Sequence, residues 1–344
     1  MFNKFFEWFF EPLGNLLGNN NCNDTLLELL NNKSADEEVT EPLIVTRKTV
    51  CKSFRPQTFS QYIGQTEAKE NLSAYIENMK KRQQVMPHTL IYGSAGTGKT
   101  TLARIIANEL GVKFYELISS KITDINEIVN IIQELNGGIL FADEIHGLER
   151  NTAELFYPIM EDFKFGDIEL PKFTLIGATT EIGEILKTRK PFYDRFKIKQ
   201  ELEDYTAEDL ECIIRQYKLK TFPDDIVDEN IIKTVASNCR GIPRRAISLL
   251  ENCIYLGLDI DNTLKNNQIV KDGVTKKDVK ILTLLSKYPK GLGLLTLSAY
   301  LDMNQSNYLE QYENFLMKNE YMIKGNRGRI ISDKGIKLLS EITK

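Results

Sequence analysis

Histidine and cysteine are scarce in this chain. Its 344 residues hold two histidines, His88 and His146, and five cysteines, Cys22, Cys51, Cys212, Cys239 and Cys253. Two histidines and scattered thiols with no C-x-x-C pair argue against a zinc site and against a disulfide framework. They read as reduced thiols in a cytosolic, cytoplasmic protein. Long apolar runs are missing too. Nothing approaches the roughly 18 residues of a membrane span. No segment has the form of a secretory signal, because Met1 leads into an aromatic stretch that carries Glu7 and Glu11. What remains is an ordinary soluble composition, 42% hydrophobic and 27% charged, long enough for two or three domains.

The net charge of −4 is unevenly spread. Residues 1–50 hold 4 basic and 8 acidic side chains, a net of −4, and residues 271–344 hold 13 and 8, a net of +5. A basic C-terminal segment on an acidic chain points weakly to nucleic acid. At the other end, Phe2, Phe5, Phe6, Trp8, Phe9 and Phe10 crowd together with Leu13, Leu16 and Leu17. A polar, acidic linker follows at residues 34–42. Lys4 is the only base near the aromatics, so residues 2–17 suit a protein partner or self-packing better than a membrane surface.

The centre of the chain is Gly93-Ser94-Ala95-Gly96-Thr97-Gly98-Lys99-Thr100-Thr101, which matches G-x-x-x-x-G-K-[ST]. A polyphosphate lying on backbone N–H groups requires side chains to be absent at the turn, and Gly93, Gly96 and Gly98 meet that need. Lys99 supplies a point charge for the β- and γ-phosphates. Thr100 offers a hydroxyl to Mg²⁺. An apolar strand, residues 88–92, precedes the loop. A helix over residues 101–110 follows it and stops at Gly111. ATP phosphates would therefore sit at a helix N-terminus.

Strands and helices then alternate. Residues 113–117 read as a strand, and 125–135 as a helix ended by Gly137-Gly138. Ile139-Leu140-Phe141-Ala142-Asp143-Glu144 is an apolar strand ending in two carboxylates. Residues 173–180 form another strand, ending in Thr179 and Thr180. This order predicts an α/β fold with a parallel sheet and its chemistry at the strand carboxyl ends. Asp143 would hold Mg²⁺, directly or through water, and Glu144 would polarise the attacking water. Either threonine is placed to orient the γ-phosphate or the water. Ahead of the sheet, residues 66–81 read as an amphipathic helix presenting Leu72, Tyr75, Ile76 and Met79.

Residues 205–269 form a small helical domain, whose first helix is capped by Thr206 with Asp209 at N3. Within it, Arg240-Gly241-Ile242-Pro243-Arg244-Arg245 is a basic turn opening a helix. Helices over 278–285, 292–301 and 305–318, then a hairpin across residues 325–329, make a winged helix. Its tip residues Arg327 and Arg329 would approach a DNA backbone.

From about Arg55 onward the chain resembles the AAA+ ATPases, and within them the RuvB family of Holliday-junction branch-migration motors. Arg55-Pro56 with Tyr62-Ile63-Gly64-Gln65 is similar to that family's adenine-binding segment, so Arg55, Tyr62 and Ile63 join Gly93, Gly96, Thr97, Gly98, Lys99, Thr100 and Thr101 as nucleotide-binding residues. Asp143-Glu144-Ile145-His146 is similar to its Walker B motif. Tyr157-Pro158-Ile159-Met160-Glu161-Asp162-Phe163 is similar to the segment that follows that motif. Residues 173–180 are similar to its sensor 1 strand, with Thr180 as the sensor. The resemblance makes Arg195 an arginine finger acting on a neighbour's ATP and Arg244 the sensor 2 residue. It implies a large ATPase domain over residues 50–204, a helical lid over 205–270 and a winged helix over 271–344. It also implies a homo-oligomeric ring, a hexamer, acting on branched or duplex DNA. One departure matters. Only residues 164–172 separate Phe163 from Phe173, where the family carries the long hairpin that grips RuvA. Nine residues make a tight turn, so docking to RuvA in the usual way is not expected. A clamp-loader or helicase-loader type switch, which also lacks that hairpin, is the competing reading.

Overall fold

The computed structural model describes residues 55–119 and 124–342. Residues 2–17, the linker at 34–42, Cys22 and Cys51 lie outside them.

Helix α1 (Thr66–Arg82) comes first, then β1 (Thr89–Gly93), α2 (Lys99–Leu110), β2 (Phe114–Ile118), α3 (Ile125–Leu135), β3 (Ile139–Asp143) and α4 (Arg150–Glu161). A small hairpin of β4 (Lys164–Phe165) and β5 (Ile168–Glu169) leads into β6 (Thr174–Thr179). The short helices α5 (Ile182–Thr188) and α6 (Lys190–Asp194) precede β7 (Ile198–Leu202). The five long strands are parallel, in the order β2-β3-β6-β1-β7.

Side-chain alternation along these strands divides the core. On β3, Leu140 and Ala142 face one layer with Ile128, Phe156, Phe173 and Phe192. Ile139 and Phe141 face the other, with Leu72, Leu102, Ile105 and Ile106. Both faces are covered by helices, as a parallel sheet requires. Helix α3 spans the predicted residues. Asp124 caps it through Asn126 N at 2.9 Å, and it closes on Asn136 and Gly137 in the left-handed region. Helix α1 buries Ala68, Leu72 and Ile76, whereas Tyr75, expected on that face, is exposed. Strand β7 has no counterpart in the sequence reading. Lys199, Gln200 and Glu201 hide it, although Ile198 and Leu202 are buried against β1.

Beyond β7 come α7 (Ala207–Thr221), α8 (Glu229–Ser237), α9 (Pro243–Tyr255) and α10 (Ile260–Asn266). Their own core is built on Leu210, Ile214, Val235, Ala246 and Leu250. Thr206 caps α7 through Asp209 N at 3.1 Å. A short hairpin, β8 (Ile269–Lys271) with β9 (Val274–Thr275), leads to α11 (Lys276–Lys287), whose start is a capping box of Thr275 and Asp278. Then come α12 (Leu294–Tyr300), α13 (Gln305–Tyr308), a π-helical turn (Leu309–Glu313), α14 (Asn314–Lys318), a wing of β10 (Met322–Gly325) and β11 (Gly328–Ile331), and α15 (Asp333–Ile342). The single helix expected over 305–318 is therefore interrupted. The wing turn is two residues long, Asn326-Arg327, rather than five, because Gly325 pairs with Gly328.

Candidate nucleotide and DNA sites

Strands β3, β6 and β1 are neighbours, so their carboxyl ends bring Asp143, Thr179 and the loop after Gly93 side by side. The loop has no room for side chains at its glycines. A Cβ on Gly93 would lie 2.4 Å from Leu202 O, and one on Gly98 would lie 2.9 Å from the Tyr62 hydroxyl. Both sit at positive φ. Lys99 opens α2 and is 6% exposed. Its ammonium donates to Gly93 O at 2.9 Å and to Ser94 O at 3.1 Å. Burial lowers its pKa; Glu144 and Asp143 pull it back up, and Arg244 opposes them. Thr97 is buried with its hydroxyl on Ser94 O at 2.9 Å.

The carboxylates face this charge. Burial raises the pKa of Asp143, and Glu144 adds to the effect. Glu144 holds φ +46°, a region disfavoured for a residue with a Cβ. Its N–H donates to Asp143 Oδ1 at 3.0 Å, and its carbonyl accepts from Gly147 N at 2.8 Å. That turn swings the Glu144 carboxylate to the strand ends. There Thr180 Oγ1 donates to it at 3.2 Å, and His146 Nδ1 lies at 3.2 Å. Thr179 is fully buried. Its hydroxyl lies 3.1 Å from His146 Nδ1 and accepts from Glu181 N at 2.9 Å. Thr180 is thus the threonine that touches Glu144, and Thr179 braces the histidine beside it. His146 escaped the sequence reading as a site residue; its place two residues after Glu144 was the available signal.

A second group gathers on the far side of the loop. Tyr62 is buried with its hydroxyl 3.1 Å from that of Tyr205, which also donates to Thr97 O at 3.1 Å. Burial raises both phenols, Tyr205 to about 12, so both remain protonated donors. Ile63, half-buried, follows Tyr62. Arg244 N donates to Gly96 O at 3.4 Å, and a Cβ on Gly96 would lie 2.9 Å from Arg244 Cβ. Tyr205 stands one residue before the α7 cap Thr206, and its reach to the loop depends on tertiary packing.

Other expected residues stand apart. Arg55 is exposed, and among the described residues no hydrogen bond or ion pair joins its guanidinium to the loop. Arg195 is held by Glu161 Oε2 at 3.3 Å and Pro191 O at 2.7 Å, with its guanidinium 3.9 Å above the Tyr157 ring. It is not among the groups around Lys99. On the wing, Arg327 is exposed at the turn. Arg329, expected beside it at the tip, is placed differently. It is buried, and its Nε and NH2 donate to the two carboxylate oxygens of Glu313 at 2.8 and 2.9 Å. A guanidinium closed in this way holds the wing.

Comparison with known proteins follows the same outline. The family model described as the Holliday junction DNA helicase RuvB P-loop domain matches residues 54–202, and that for the RuvB C-terminal winged helix domain matches residues 271–340. The Holliday junction branch migration complex subunit RuvB of Campylobacter hominis is 35% identical over 311 residues, covering 83% of this chain and 90% of its own. That of Mycoplasmopsis pulmonis is 34% identical over 317 residues, covering 84% and 98%. The solved structure of the Thermotoga maritima RuvB Holliday junction branch migration motor superposes with a TM-score of 0.73 at 32% identity, covering 83% of this chain and 98% of that one.

Proposed function

The chain belongs to the RuvB family, and from that premise we propose that it is an ATP-driven motor acting on Holliday-junction or other branched DNA. One observation carries this reading. Lys99, Asp143, Glu144 and Thr180 converge on the ends of adjacent strands in a chain whose other end is a winged helix.

The roles follow from the geometry. The glycine-lined turn with Thr97, Thr100 and Thr101 receives the phosphates, and Lys99 exchanges its two neutral carbonyl acceptors for the β- and γ-phosphate oxygens. Arg55, Tyr62 and Ile63 are assigned to the base. Glu144, fixed by Thr180, orients the attacking water and accepts its proton. Thr100 and Asp143 suit Mg²⁺, which needs few protein ligands beside phosphate, and the two crowded carboxyls at 143 and 144 favour a cation. Bound there, Mg²⁺ would neutralise phosphate charge. Arg244 ties the helical lid to nucleotide state. Arg195, turned away from its own subunit's site, acts on a neighbour's ATP in a homo-oligomeric ring, read as a hexamer. Arg327 meets the DNA backbone. The two-residue strands of β4 and β5 leave little for RuvA to grip. That shortness favours the second reading, a loader-type switch. No helix among the described residues is long and apolar enough to cross a membrane, in keeping with work in the cytoplasm.

The test is steady-state ATP hydrolysis with and without a four-way DNA junction. Junction stimulation is expected, with Arg195→Ala slower by about 10³-fold or more and Glu144→Gln inactive. Mixing Arg195→Ala with Lys99→Ala subunits should restore hydrolysis, since each supplies what the other lacks across the interface. Hydrolysis indifferent to any DNA would move the assignment to the switch.

A further inference from the structure

Five residues, Arg240-Gly241-Ile242-Pro243-Arg244, touch both ends of the described chain. At one end Arg244 N donates to Gly96 O of the phosphate loop at 3.4 Å. In the middle Gly241 O accepts from Tyr205 N at 2.8 Å, and the Tyr205 hydroxyl reaches Thr97 O. At the other end Arg240 crosses into the winged helix. Its Nε donates to Gly273 O at 2.8 Å, NH1 donates to Gln311 O at 2.9 Å, and NH2 is bonded to Asp278 Oδ2. Its guanidinium carbon lies 3.8 Å from the centre of the Phe315 ring. The side chains of Arg240 and Asp278 are 5% and 0% exposed.

Position 240 is an awkward place for an arginine. Its φ is +56°, next to Gly241 at +73°, and glycine would sit there with less strain. The side chain compensates by satisfying two backbone carbonyls, a buried carboxylate and an aromatic face, all beyond the lid. The other links are backbone, neutral or exposed ones. The β8–β9 hairpin pairs Ile269 with Thr275, and Gln268 O accepts from Lys276 N at 2.9 Å. Asn238 Oδ1 accepts from Gly273 N at 2.9 Å, a neutral bond, and Lys318–Asp204 is an exposed ion pair at 2.5 Å.

We propose that Arg240 is the positioning residue that locks the winged helix to the helical lid, so that a load placed on the wing is felt at Gly96 and Thr97 of the phosphate loop. Lid and winged helix then move as one body, and the joint that opens and closes with nucleotide lies between the lid and the sheet domain. The proposal rests on the reading of the chain as an ATP-driven DNA motor, but its mechanical half can be tested separately.

Spin labels at Lys265→Cys in the lid and Lys290→Cys in the winged helix, with the native cysteines replaced, report that half. Pulsed dipolar spectroscopy on the full-length protein should give one narrow distance distribution, the same with ADP and with ATPγS. Arg240→Ala should broaden it. A distribution that shifts with nucleotide in the parent protein, or that Arg240→Ala leaves narrow, overturns the proposal. If Arg240→Ala does not fold, Phe315→Leu, which keeps the buried ion pair, should still broaden the distribution; no change overturns the idea equally. The functional half compares basal and junction-stimulated hydrolysis. Arg240→Ala should keep basal turnover and DNA affinity while the stimulation falls at least about fivefold. Unchanged stimulation in a folded variant refutes the coupling. If the parent protein shows no stimulation, the motor reading fails and the distance measurement alone decides whether the lock exists.

Discussion

Replacing Arg329 by alanine would leave Glu313, 3% exposed, as a buried carboxylate without its bidentate partner. Removing one member of such a pair costs about 3–5 kcal/mol. Here the lower end applies, because Lys324 Nζ lies 3.6 Å from Glu313 Oε1, although it is 60% exposed and makes a single contact. About 3 kcal/mol corresponds to roughly a hundredfold change in a local opening equilibrium. Hydrogen exchange reads that equilibrium at the wing itself. The backbone amides of β10 and β11 should exchange about a hundredfold faster in Arg329→Ala, while those of β3 and β6 stay as they were. The double variant Arg329→Met with Glu313→Leu removes both charges and should recover much of the lost protection. Wing amides in Arg329→Ala within about threefold of the parent protein, a difference of only about 0.6 kcal/mol, would refute the assignment of Arg329 as a structural residue. They would return it to the DNA-facing surface.

Arg327→Ala should do the reverse, with stability within about 0.5 kcal/mol and DNA affinity lower, the slope of log affinity against log salt falling by about one; gel-shift titrations at several salt concentrations check it. Gly96→Ala places a Cβ 2.9 Å from Arg244 Cβ and 3.0 Å from Ile242 Cγ2 at φ +85°, so the lid must shift, and ATP binding should weaken by about tenfold, at the low end of the roughly 1–3 kcal/mol of such strain, in a fluorescence titration. His88 is buried neutral, accepting from Leu175 N at 2.8 Å and donating to Met160 O at 3.0 Å, and burial lowers its pKa to about 4. The unfolded chain takes up that proton near the ordinary value of 6.5, so the folded state binds fewer protons between those values. Its stability should be full above pH 6.5 and fall by roughly 3 kcal/mol as pH drops to 4; urea titrations of the parent protein and His88→Asn should differ in that slope.

Much of the α/β core was legible because its signals are local. Helix α3 carries its own cap, its own periodicity and its own glycine stop, and β3 is four apolar residues before two acids. The loop from Gly93 to Thr101 is read from its glycine spacing with Lys99 and Thr100, between a strand and a helix. Several of the misses depend on distant partners. Strand β7 is polar at its centre and is held in place by pairing with β1. Tyr205 lies 108 residues from the Thr97 carbonyl it binds. Arg329 sits in an Arg-Gly-Arg stretch that suggests a phosphate-binding tip, but a two-residue turn draws it back into register opposite Lys324 and onto Glu313.

The π-helical turn at Leu309–Glu313 bears on how this segment tolerates changes of length rather than of composition. In an α-helix successive side chains step by about 100°, so neighbours in sequence rarely point the same way. Here Tyr312 and Glu313 are both buried, one in the apolar core and the other against Arg329. A π turn holds one surplus residue and leaves the helix on either side in phase. Tyr308 and Leu316, both fully buried, accordingly stand eight residues apart where an uninterrupted helix would use seven. A chain one residue shorter in this stretch can close an unbroken helix with the same core. What it loses is the second inward side chain, and with it the carboxylate that holds the wing.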